Sequence, residues 1–184
     1  MVLITQNACQ LKLNDPAPDF SLPGVDGKSY SLHSFKDKKI LVIFFSCNHC
    51  PYVQGYEDRI IALQKETADR SVQFVAINAN DAKNYPGDSF EQMVVRAKEK
   101  KYKFPYLRDE SQAIARKYDA ACTPEFYAFD AQRRLQFHGR LDDSHDNPKK
   151  VKKQFLRDAL EALLDSQPVS IPESHPIGCS IKWL

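Results

Sequence analysis

Lys39-Ile40-Leu41-Val42-Ile43-Phe44-Phe45-Ser46-Cys47-Asn48-His49-Cys50-Pro51-Tyr52 is the stretch whose reading decides the fold. Its first half is continuously apolar and rich in branched and aromatic residues, the signature of a strand buried on both faces and therefore central in its sheet. After the two cysteines, Val53, Tyr56, Ile60 and Leu63 recur at helical spacing, which predicts an amphipathic helix. Proline is comfortable only in a first helical turn, so Pro51 predicts a helix start near Cys47 or Asn48 and sets the Cys-x-x-Cys at a strand-to-helix junction. Ser71-Val72-Gln73-Phe74-Val75-Ala76-Ile77-Asn78 reads as a second buried strand. With the intervening helix it completes a strand–helix–strand unit, whose crossover is expected to be right-handed and whose strands are then parallel.

Toward the amino terminus, residues 16–32 carry a turn at Gly24-Val25-Asp26-Gly27-Lys28 between two short extended pieces, a small hairpin. Toward the carboxyl terminus, residues 81–88 form a polar loop and residues 89–100 a helix with Ser89 as its cap. Residues 104–107 are a short extended piece, and residues 111–118 a further helix. Residues 125–129 form a strand that turns at Asp130-Ala131-Gln132-Arg133 into residues 135–138, an antiparallel pair. Residues 151–164 read as a last amphipathic helix, and the Pro-rich remainder has no helical period. The organisation expected is a terminal segment over 1–11, one α/β domain over 12–166 and a tail over 167–184.

At 184 residues the chain can bury roughly 70% of its unfolded surface in one core. Residues 40–45 are far shorter than the roughly 20 apolar residues a membrane-crossing helix needs. A net charge of +2 argues against a nucleic-acid partner, which would call for a concentrated basic face. The basic stretches Lys98-Glu99-Lys100-Lys101 and Lys149-Lys150-Val151-Lys152-Lys153 read as solvated helix faces. The terminus before Cys9 has no basic residue ahead of a short apolar stretch, so no secretory signal is read there. Five cysteines are an odd number and too few for a disulfide scaffold, so the expected compartment is the cytoplasm, with cysteine serving chemistry or metal ligation.

Two thiols one helical turn apart suit either a metal or a reversible disulfide. At the start of a helix the first cysteine faces unpaired N–H groups and the positive end of the helix dipole, which lower a thiol from its ordinary value of about 8.5. On this reading Cys47 is the attacking sulfur, and Cys50 resolves the mixed disulfide formed on it. His49 is either a solvated residue of the first turn or a tuning group whose partly protonated imidazole favours the thiolate.

The chain resembles the thioredoxin superfamily, and within it the peroxiredoxin-like branch of alkyl hydroperoxide reductases and thiol-specific antioxidants. The likeness covers roughly residues 13–164. It is carried by Pro16-Ala17-Pro18-Asp19-Phe20-Ser21-Leu22, by the Asp26-Gly27-Lys28 turn, by the strand into Cys47-Asn48-His49-Cys50-Pro51, and by Thr123-Pro124 ahead of a strand. The resemblance implies a thioredoxin-like α/β fold, with a central mixed sheet flanked by helices, an N-terminal hairpin extension and a C-terminal tail. It further implies a cis Thr123–Pro124 bond, with Thr123 facing the dithiol and presenting backbone to substrate. Oxidising members carry histidine at the position of His49, which implies a couple less reducing than thioredoxin's at about −270 mV.

The function expected is thiol-disulfide exchange through Cys47 and Cys50, part of redox homeostasis. No cofactor or metal is called for; the partners are protein or small-molecule disulfides, with a dithiol protein as electron donor or acceptor. An antioxidant hydroperoxide reductase is the alternative. Typical peroxiredoxins place threonine or serine at the third position before the reactive cysteine and proline at the seventh. Here those positions are Cys47 and Ile43 counted from Cys50, or Phe44 and Ile40 counted from Cys47. Arg140 is a candidate for the arginine such sites use, or an ion-paired surface residue. The buried acid that thioredoxins place before the first cysteine is missing. Cys9 reads as an inert terminal thiol, Cys122 as packing, and Cys179 as a candidate resolving cysteine on a tail apolar enough to fold back. Other classes stay open: a zinc module built from Cys47, Cys50, His175 and Cys179, or an interaction protein with a vestigial dithiol.

Overall fold

Ile40–Phe45 has no polar face to give to water, and all six residues are buried at the centre of the principal sheet. The structure, a computed structural model, describes residues 2–4 and 11–184. In chain order its elements begin with β1 (Val2–Ile4), β2 (Ser21–Pro23), β3 (Ser29–Ser31), β4 (Ile40–Phe45), α1 (Pro51–Thr67), β5 (Val72–Asn78) and α2 (Phe90–Glu99). They continue with β6 (Tyr106–Arg108), α3 (Ala113–Lys117), β7 (Cys122–Thr123), β8 (Glu125–Phe129), β9 (Leu135–Gly139), α4 (Phe155–Leu164) and β10 (Ile177–Ser180).

The principal sheet has the order β6-β5-β4-β8-β9. β4, β5 and β6 run parallel, while β8 is antiparallel to both β4 and β9. This is the mixed thioredoxin-like sheet that the resemblance implies. Alternation along β4 divides the core in two. Leu41, Ile43 and Phe45 pack with Phe20, Ala115 and Tyr118 on the side of the sheet that faces α3. Val42 and Phe44 pack with Tyr56, Ile60 and Leu63 of α1, Met93 of α2 and Leu156 and Leu160 of α4. Each such fully buried side chain contributes about 1.5–3 kcal/mol. The buried Glu57 carboxylate ties α1 to α2, accepting from Arg96 Nε at 2.9 Å, Arg96 Nη2 at 2.8 Å and Tyr102 OH at 2.5 Å, with Lys100 Nζ at 2.8 Å.

Several boundaries differ from the sequence reading. α1 starts at Pro51 rather than near Cys47 or Asn48, because proline holds the residue before it out of the helical region, and Cys50 is extended at φ −72°, ψ 122°. α4 starts at Phe155 rather than Val151. The lysines before it lie on a short 3-10 turn and an extended segment, where Asp143 Oδ1 accepts from the Lys152 and Lys153 amides. The tail re-enters the fold. Its β10 pairs antiparallel with β7 on one side and β1 on the other. The hairpin β2–β3, the Ser89 cap of α2 and the β8–β9 pairing form as expected. Among the described residues, no helix is long and apolar enough to cross a membrane.

Candidate active site

The chain leaves β4 at Ser46, whose N–H still bonds Ile77 of β5 at 2.8 Å, and crosses residues 47–49 before Cys50 caps α1. Because the helix starts at Pro51 with Cys50 as its cap, its free amides open beside the second cysteine rather than the first, and the Val53 amide is among the groups that lower the Cys50 thiol.

Thr123 lies against both sulfurs, 76 and 73 residues away in sequence. Its Oγ1 is 3.4 Å from Cys47 Sγ, and its carbonyl oxygen is 3.2 Å from Cys50 Sγ, placed to accept from that thiol when it is protonated. The Thr123–Pro124 peptide is cis. Both sulfurs are shielded, with Cys47 3% and Cys50 0% exposed. The Cys47 thiol donates to Cys50, and that bond, with the Val53 amide and the N–H and thiol of Cys179, brings Cys50 down to about 5 against the opposing effect of burial. Cys47 is pushed well up, first by donating to Cys50, then by burial and by the Asp88 carboxylate; only the Thr123 hydroxyl pulls the other way. The balance of these influences favours the negative charge on Cys50. The helix-opening amides expected at Cys47 are not found there, because α1 starts at Pro51 with Cys50 as its cap.

Asp88, in the loop read only as polar, organises the stretch between the cysteines. It is 0% exposed. Its Oδ1 accepts from the Asn48 N–H at 2.6 Å, and its Oδ2 accepts from Asn80 Nδ2 at 2.8 Å and lies 2.6 Å from His49 Nδ1. His49 is exposed but directs Nδ1 at this buried carboxylate, with its ring stacked on Tyr85 at 5.6 Å. Tyr106 OH donates to Asn48 Oδ1 at 3.0 Å, holding the same loop from β6. No periodicity marks Asp88, Asn80 or Tyr106 as partners of the loop.

Of the other residues singled out, Cys179 packs against Cys47, Cys50 and Val53. Cys122 is buried and its thiol is raised by that burial and by Glu125. Among the described residues Arg140 forms no ion pair: its guanidinium lies over the Phe155 ring at 5.1 Å, and its Nε is buried without a partner. Cys9 falls outside the described residues. A buried acid missing before Cys47 is found elsewhere. Glu125, just after Pro124, pairs with His138 Nε2 at 2.7 Å and accepts from Tyr127 OH and from the Ala121 and Cys122 amides. The zinc set is not assembled. Among the described residues, the group of three or more cysteine, histidine and carboxylate side chains whose ligand atoms lie within 4.8 Å of one another is Cys47, His49 and Asp88. His175 is exposed and outside that group, and both Asp88 oxygens are already engaged.

Residues 12–155 match the family model described as Redoxin. The chain is similar to an uncharacterized conserved protein from Geobacillus kaustophilus, at 44% identity over 96% of this chain and 95% of that one, with a TM-score of 0.90. It is also similar to a hypothetical protein from Sinorhizobium meliloti, at 38% identity over 95% of this chain and 96% of that one, again with a TM-score of 0.90. A thioredoxin family thiol:disulfide interchange protein from Chlorobium tepidum shares the fold, with a TM-score of 0.64 at 21% identity over 81% of this chain and 95% of that one. No curated protein matches. With a mixed thioredoxin-like sheet and a family model covering most of its length, the chain belongs to the Redoxin family, a peroxiredoxin-like redox branch of the thioredoxin superfamily.

Proposed function

We propose that the protein is a thiol-disulfide oxidoreductase working through Cys47 and Cys50. The observation that carries this reading is the convergence of two shielded sulfurs on Thr123, Cys47 Sγ at 3.4 Å from its hydroxyl and Cys50 Sγ at 3.2 Å from its carbonyl oxygen. A thiolate stabilised by a neighbouring thiol and a helix-opening amide is a nucleophile at neutral pH. The Cys50 thiolate attacks a substrate disulfide, and one substrate thiolate leaves. Cys47 gives its proton to that thiolate and then attacks the Cys50 sulfur, closing Cys47–Cys50 and releasing the second substrate thiolate. One dithiol is oxidised and one disulfide reduced. Thr123 positions the substrate sulfur, and the Asp88–His49 pair holds the loop between the cysteines.

Burial of both sulfurs favours a second reading, reduction of a small hydroperoxide. The Cys50 thiolate would attack the terminal oxygen, the O–O bond would break to give an alcohol, and Cys47 would condense with the sulfenic acid to give the disulfide and water. Against it stand Cys47 and Ile43, three and seven residues before Cys50, where such sites use a hydroxyl donor and a proline. The test follows thiol loss and turnover of reduced protein with glutathione disulfide, insulin and hydrogen peroxide in parallel. Disulfide turnover that disappears in both Cys47→Ser and Cys50→Ser is the expected result. Peroxide consumption with no disulfide turnover selects the second reading, and turnover surviving loss of both cysteines overturns both.

A further inference from the structure

The C-terminal strand is bolted across the dithiol. Before it, His138 donates to the Pro172 carbonyl at 2.9 Å and Ser174 donates to the His138 carbonyl at 3.0 Å. After it, Ile181 donates to Ala121 at 3.1 Å and Lys182 to Asn80 Oδ1 at 2.9 Å. Between these anchors Cys179 pairs in register with Thr123, the residue that touches both sulfurs. The strand lies so close to the Thr123–Pro124 peptide that a Cβ on Gly178 would overlap the Thr123 carbonyl. The register therefore has no slack at that point. It packs Cys179 against Cys47 and Cys50. Cys179 is also the one of the three sulfurs with partial access to solvent, the other two being buried.

We propose that Cys179 is a third redox-active sulfur, which takes the disulfide from Cys47–Cys50 as Cys50–Cys179 and so carries it from the buried pair to the surface. The proposal rests on the dithiol reading above. In the step, the Cys179 thiolate attacks the Cys50 sulfur of the Cys47–Cys50 bond. One S–S bond forms as one breaks, Cys47 leaves as thiolate, and it takes up the proton that Cys179 lost. No outside oxidant or reductant is consumed. An external dithiol then meets its disulfide at Cys179, the accessible end, and needs no entry into the core. Anchored on both sides, Cys179 acts on Cys50 at an effective concentration of at least ~mM, and outcompetes micromolar thiols in solution.

The test oxidises the full-length reduced protein with glutathione disulfide, alkylates remaining thiols and maps disulfides by mass spectrometry of a non-reducing digest. Wild type is expected to give Cys50–Cys179 beside Cys47–Cys50. Cys47→Ser is expected to give the internal Cys50–Cys179 bond, with glutathione released rather than retained. Adding Cys179→Ser to that variant should leave glutathione trapped on Cys50. Gly178→Ala, which lifts the strand from Thr123, should lower the yield of the internal bond several-fold in the Cys47→Ser background. Wild type giving only Cys47–Cys50 with Cys179 fully alkylated, together with Cys47→Ser retaining glutathione on Cys50, overturns the proposal and leaves the dithiol reading standing. Failure of wild type to lose thiols at Cys47 and Cys50 sinks the dithiol reading and the proposal with it.

Discussion

Replacing Asp88 with asparagine tests whether this buried carboxylate both holds the loop between the cysteines and keeps the proton on Cys47. The amide retains an acceptor for the Asn48 N–H but presents a donor toward Asn80 Nδ2 and His49 Nδ1, which now face Oδ2. Loss of a buried hydrogen bond to a charged acceptor costs about 1.5–3 kcal/mol. The His49 contact is screened, since that side chain is 37% exposed, and adds less than about 1 kcal/mol. The expected destabilisation is about 2–4 kcal/mol, or roughly 4–16 °C in Tm for a domain of this size. The same substitution removes one of the influences that push Cys47 upward, after the Cys50 hydrogen bond and burial, so Cys47 should ionise at lower pH. Thermal melts give the first quantity, and the pH profile of Cys47 alkylation, mapped by mass spectrometry, gives the second. An Asp88→Asn protein that melts with the parent and labels with the parent's pH profile refutes the argument.

Because folding lowers Cys50 to about 5, the stability it contributes is fully present above the unfolded thiol value and is lost as pH falls through about 5. The stability difference between reduced wild type and Cys50→Ser, measured by urea unfolding, should therefore grow as pH rises from about 5 toward 9; a flat difference contradicts it. A stabilised thiolate favours the dithiol form, so equilibration with glutathione should place the Cys47–Cys50 couple above thioredoxin's value of about −270 mV, and a lower potential would overturn that expectation. Glu57→Ala strands Arg96, Lys100 and Tyr102 between α1 and α2 and should cost about 3–5 kcal/mol in unfolding experiments; a loss under about 1 kcal/mol would show that the network is not a structural tie.

The frame of the molecule was legible because residues 40–45 and 72–78 are apolar throughout, and such runs leave few places in a sheet except its centre. The position of the dithiol followed from the same stretch. The helix start did not, although the information was present: Pro51 admits a first-turn position, but it also keeps Cys50 extended, and weighing that second effect assigns the cap to Cys50. The partners of the loop were hidden for a different reason. Asp88 and Asn80 lie on the connection from β5 to α2 and Tyr106 on β6, and only tertiary folding brings them to Asn48 and His49. The tail's prolines excluded a helix but carried no register, so neither the pairing of Cys179 with Thr123 nor the closeness of Gly178 to the Pro124 peptide was readable.

The central claim is that the resting dithiol carries its charge on Cys50, where the opening of α1 places an amide and Cys47 supplies a proton. A pH titration of thiolate absorbance in reduced wild type, Cys47→Ser and Cys50→Ser tests it most directly. Wild type should show a transition near 5 that is absent from Cys50→Ser and moves upward in Cys47→Ser. A low transition that survives in Cys50→Ser and vanishes in Cys47→Ser would contradict the account.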